Sequence, residues 1–120
     1  MRKLATLIAG LALLVPVASA QTGPNGGQVA GSGHHQAELV VSPTELSVYW
    51  LEEGQPHDSK GTSLRAVVQQ SGKATTISLA DQDGKKLTAK LPSPLEKGAI
   101  VVLSGKDDHG ERFTARYVIK

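Results

Sequence analysis

Glu45-Leu46-Ser47-Val48-Tyr49-Trp50-Leu51 decides the fold. Leu46, Val48 and Trp50 fall on one side of an extended chain and Ser47 and Tyr49 on the other, the alternation of a strand with one buried face. Trp50, the only tryptophan, is the expected centre of the core. Upstream, residues 36–41 read as a strand that stops at Ser42-Pro43, because proline has no N–H to give to a ladder. Downstream, a polar loop over residues 52–63 leads to a strand at 64–70 with Leu64, Ala66 and Val68 inward. Ser71-Gly72-Lys73 then turns the chain into a fourth strand at 75–79. Asp83-Gly84 is the dipeptide of a type I′ hairpin, whose two central positions need positive φ, and it should join that strand to a fifth at 87–91. The apolar run 99–103 reads as a central strand covered on both faces. A last strand at 112–119 aligns Phe113, Ala115, Tyr117 and Ile119. No window carries apolar residues at helical spacing, so seven short strands between turn signals predict an all-β domain. The expected architecture is an antiparallel, immunoglobulin-like two-sheet sandwich, with a small β-barrel as the alternative.

The first 20 residues read differently. Arg2 and Lys3, the apolar run 4–15 and Ala18-Ser19-Ala20 have the make-up of a secretory signal peptide cleaved after Ala20, which places the protein in the periplasm. Residues 21–33, with five glycines, read as a flexible leader or a loop laid over the domain. Order is expected from His34, and residues 34–120 form one domain. The chain has 13 Lys and Arg against 11 Asp and Glu, and the excess of two is Arg2 and Lys3. The remaining charges cancel and are scattered singly along the chain, which argues against a nucleic-acid binder. Nothing after Val17 approaches the roughly 20 apolar residues that a membrane-spanning helix needs. Cysteine is absent and the single methionine is the initiator, so a disulfide and a soft-sulfur copper(I) site are both excluded.

Chemistry therefore concentrates on His34, His35, His57, His109 and the carboxylates near them. On an extended chain His34, Gln36 and Glu38 project to one side and His35 to the other. His34 and Glu38 would stand about 13 Å apart, too far to share one ion unaided. Glu52, Glu53, His57 and Asp58 form a second group, in which imidazole and carboxylate suit Zn(II), Cu(II), Ni(II) or Co(II). Asp107-Asp108-His109-Gly110-Glu111 is a third, and its residues are also those of a tight polar turn. Asp81 to Gly84 does not form an EF-hand, because Leu79 and Lys90 would occupy its first and twelfth ligand positions. No nucleophile elbow, spaced carboxylate pair or phosphate loop is present, so an enzyme is not expected.

Several blocks in order, Gly23-Pro24-Asn25-Gly26-Gly27, His34 to Val40, Leu46 to Tyr49, Glu53-Gly54-Gln55-Pro56 and the Gly84 to Leu87 turn, resemble one exported family. Its members are small, mostly uncharacterised periplasmic proteins of proteobacteria, similar to the extra domain of some adaptor subunits of heavy-metal efflux pumps. The family's first block usually reads Pro-His-Gly-Gly, and here the His position is Asn25. Its second block often has His two residues before the Glu, where this chain has Gln36. The resemblance implies weak binding of a divalent transition metal beside an efflux-system or other envelope protein, with His34, His35 and Glu38 as the metal candidates, to which the second group adds His57. The alternative is an interaction module of the envelope without metal.

Overall fold

The structure is a computed structural model that describes residues 21–31 and 34–120; the expected export signal lies outside the described residues. Eleven strands follow in order: β1 (Gln21–Thr22), β2 (Gln28–Ala30), β3 (His35–Val41), β4 (Glu45–Glu52), β5 (Gln55–Pro56), β6 (Ser63–Gln70), β7 (Lys73–Ser78), β8 (Ala80–Asp81), β9 (Leu87–Lys90), β10 (Ile100–Lys106) and β11 (Arg112–Val118). All pairings are antiparallel. One sheet runs β1-β2-β3-β4-β9-β8 with β5 added beside β4, and the other runs β11-β10-β6-β7. Two separate sheets make a sandwich, not the closed barrel held as the alternative.

The alternation around Trp50 becomes the inner face of the first sheet. Leu46, Val48 and Trp50 pack with Ala37 and Leu39 of β3 against Leu64, Ala66, Val101, Leu103, Ala115 and Tyr117 from the second sheet. Trp50 meets Phe113 edge-on, with ring centroids 4.7 Å apart.

Three tight turns share one physical cause. Glu53-Gly54, Ser71-Gly72 and Asp83-Gly84 each place two consecutive residues at positive φ, the conformation that matches the twist of a two-residue hairpin. At these turns the glycines take the left-handed position at no steric cost.

The structure corrects the sequence reading in four places. Order begins before His34: within residues 21–31, read as a flexible leader or a loop laid over the domain, β1 and β2 extend the first sheet beyond β3. This polar, glycine-rich stretch is held by a ladder in which β1 pairs with β2 and β2 with β3. The supposed polar loop opens with a hairpin, β4–β5, in which Glu52 pairs with Gln55. Asp83-Gly84 joins β8 to β9, while β7 belongs to the other sheet, so the chain crosses between layers at Leu79. Finally, β10 is covered on one side only: Val101 and Leu103 are buried, whereas Ile100 and Val102 are half-buried.

Candidate functional site

Parity places two histidines around Trp50. His35 opposes Glu52 and Ala37 opposes Trp50 across the β3–β4 ladder, so His35 shares the inner face and lies diagonal to Trp50. Its ring stacks on the indole, with centroids 5.0 Å apart and planes 21° from parallel. On the other side of β4, the Leu51–Pro56 pairing of the hairpin is continued by His57, whose N–H donates to the Trp50 carbonyl oxygen at 2.9 Å. His57 therefore faces the same side as Trp50, and its ring centroid lies 6.1 Å from that of His35.

Each imidazole turns its Nδ1 to a carboxylate. His35 Nδ1 lies 3.2 Å from Asp107 Oδ2 and His57 Nδ1 lies 3.0 Å from Glu52 Oε1. A proton held on Nδ1 by a carboxylate leaves Nε2 with its lone pair, the tautomer that a metal-binding histidine needs. Asp107 comes from the β10–β11 turn, so its contact with His35 joins the two sheets at this end of the sandwich.

Asp107 is buried and well supplied with donors. Its Oδ1 accepts from the backbone N–H groups of His109 at 2.8 Å and Glu111 at 2.9 Å. Burial alone pushes the carboxyl up, but these hydrogen bonds and the neighbouring His35 and His109 outweigh it, and the net shift is below the ordinary carboxylate value. Asp107, Asp108 and His109 can also bring one ligand atom each within 4.8 Å of one another. The turn explains this cluster, since Asp107 is occupied by His35 and two backbone donors.

The other histidines and Glu38 are placed differently. His34 is 78% exposed and bonds Glu53 Oε2 at 3.1 Å, and His109 pairs with its neighbour Asp108 at 3.1 Å. Glu38 is fully buried. Its carboxylate accepts from Asn25 N at 2.8 Å, Gly27 N at 2.7 Å and Asn25 Nδ2 at 3.0 Å. It is a latch for the β1–β2 turn, on the face of β3 opposite His35. The structure thus brings His35 and His57 together and separates Glu38 from them. Asp107 and Glu52, which orient the two rings, stand in the second and third sequence groups and were not placed beside His35 by sequence reasoning.

Two further groups frame the site. Trp50 Nε1 is buried without a hydrogen-bond partner among the described residues. Tyr117 donates from its hydroxyl to the Ala37 carbonyl oxygen at 2.6 Å; burial first, and then the charge of Glu38, push its phenol well above the ordinary value. Comparison with protein-family models, with curated proteins and with solved structures gives no match for this chain.

Proposed function

We propose that the end of the sandwich holding His35 and His57 binds a divalent transition metal, Zn(II), Cu(II), Ni(II) or Co(II), and that the protein acts as a non-catalytic carrier or buffer. The observation that carries this reading is the pair of imidazoles 6.1 Å apart, each with Nδ1 against a carboxylate. Two imidazoles on one ion, with metal–nitrogen bonds of about 2.0–2.1 Å, stand at a comparable centroid separation once the bond angle opens beyond tetrahedral. Asp107 and Glu52 supply the outer-shell support that fixes ring orientation and raises ligand basicity. Only two protein ligands are assembled, so affinity is modest and the ion keeps solvent or takes a ligand from a partner, as suits a protein that passes metal on. The family-like sequence blocks and the signal-like first 20 residues fit a periplasmic accessory of a heavy-metal efflux or resistance system.

The test is a Zn(II) titration followed through the histidine side-chain resonances. His35 and His57 shift together at stoichiometric metal, while His34 and His109 do not. His35→Ala and His57→Ala each weaken binding by about tenfold or more, and His34→Ala leaves it unchanged. Absence of any histidine shift at stoichiometric Zn(II) would remove the proposal.

A further inference from the structure

The basic residues that are scattered along the sequence are not scattered on the molecule. On the outer face of the second sheet the registers set four rows side by side: Arg112–Lys106–Ser63, then Thr114–Ser104–Arg65–Ser78, then Arg116–Val102–Val67–Thr76, then Val118–Ile100–Gln69–Ala74. Four cations and no carboxylate occupy this face. Since residues 21–120 carry equal numbers of acidic and basic residues, the rest of that surface is correspondingly acidic. None of Arg65, Lys106, Arg112 and Arg116 has a carboxylate oxygen within 4.0 Å among the described residues; every ion pair there is made by a histidine.

Three of the cations converge. Arg112 and Lys106 are direct cross-strand partners, and Arg65 is the diagonal neighbour of Lys106 on the next strand, about 7–8 Å away by sheet geometry. Like charges set directly opposite one another are destabilising in a sheet unless an anion neutralises them. A concavity of about 490 Å³ opens at this corner, lined in part by Arg65, Lys106, Arg112, Ser63, Ser104 and Thr114, with no acidic residue in its wall. Cationic forks beside hydroxyl donors are the chemistry that recognises phosphate oxygens. Phe113 also lines the concavity, but it is buried and packed edge-on against Trp50, and the outward rows carry no aromatic side chain, so no exposed ring is offered for stacking the bases of a nucleic-acid strand.

We infer that this corner is a binding site for an anion bearing phosphate groups, on the outer face at the same end of the sandwich as the histidine pair, with Arg65, Lys106 and Arg112 as its charged contacts and Ser104 and Thr114 as hydroxyl donors. The same chemistry is offered by a free polyphosphate and by a phosphate-bearing lipid headgroup.

The probe for the free anion is inorganic tripolyphosphate, titrated into the full chain by calorimetry and by amide NMR at low and high salt. One site is expected, with shifts centred on Ser104 and Thr114, and with affinity that falls as salt rises. Arg65→Gln/Lys106→Gln/Arg112→Gln, shown to be folded by its Trp50 emission, weakens binding by about tenfold or more, while Arg65→Lys/Arg112→Lys, which keeps the charge but not the fork, loses less than the triple variant. A second arm uses vesicles of phosphatidylcholine with and without phosphatidylglycerol. Binding to the anionic vesicles that exceeds binding to neutral ones, and that is lost in the triple Gln variant, assigns the headgroup as source; tripolyphosphate binding without it assigns a free anion. The inference is overturned if the triple Gln variant binds both probes as well as the parent, or if the parent binds neither.

Discussion

Replacing Glu38 by Ala should unlatch the first ten described residues from the sandwich. The carboxylate accepts two backbone N–H groups, of Asn25 and Gly27, and the Asn25 side-chain amide, all at 2.7–3.0 Å. A hydrogen bond to a charged group contributes about 1.5–3 kcal/mol, and a donor stripped of its partner while still buried adds to the cost. Asn25 is exposed and regains water when the turn lifts, whereas Gly27 is half-buried, so the expected loss is about 3 kcal/mol, set by the two backbone donors. For a domain of this size that lowers Tm by about 12–24 °C. Glu38→Gln keeps the shape but turns an amide NH2 towards donors, and should cost about 1–2 kcal/mol. Calorimetry supplies the loss, and amide exchange at Asn25 and Gly27 locates it. Both variants should bind Zn(II) as the parent does. A loss below about 1 kcal/mol for Glu38→Ala, or a fall in metal affinity at unchanged stability, would refute the assignment of Glu38 as a structural latch.

Three other outcomes are expected. Asp107, with its pKa held below the ordinary value, stabilises the fold above its unfolded pKa and loses that contribution as pH falls through its folded pKa. Urea unfolding should therefore show the parent's advantage over Asp107→Asn shrinking below about pH 4. Tyr117→Phe removes the 2.6 Å hydrogen bond to Ala37 and should cost about 1 kcal/mol by denaturant unfolding. Gly27→Ala would drive a β-carbon into the Leu39 carbonyl oxygen, and the backbone shift should cost about 1–3 kcal/mol in a thermal melt.

Six of the seven expected strands were legible in the sequence because one-sided burial writes a period of two into the chain; residues 99–103, an unbroken apolar run, showed a strand but hid which face it buries. Trp50 and its neighbours are the clearest case. β1 and β2 were not legible, because what holds them is an acceptor 11 and 13 residues further on, and a glycine-rich polar stretch carries no mark of such a partner. His57 was recognisable as a candidate but not as the neighbour of His35. That required reading Glu53-Gly54 as a two-residue turn, which fixes Glu52 opposite Gln55 and so sets His57 beside Trp50. Gly54 was the available signal. The basic corner was illegible for a different reason: Arg65 and Lys106 are 41 positions apart, and only the pairing register makes them neighbours.

The crossing at Leu79 gives the sandwich the build of a book. Along one side a single residue binds β7 in one layer to β8 in the other, a covalent spine that cannot part. Along the opposite side the layers meet through the Tyr117 hydroxyl on Ala37, the Gln28 side-chain amide on the Val118 carbonyl oxygen and the His35–Asp107 pair, a fore-edge held by polar contacts. Local opening of the native state is expected at that fore-edge, beside β3, before it reaches Leu79, an order that amide exchange in β3 and β7 would read.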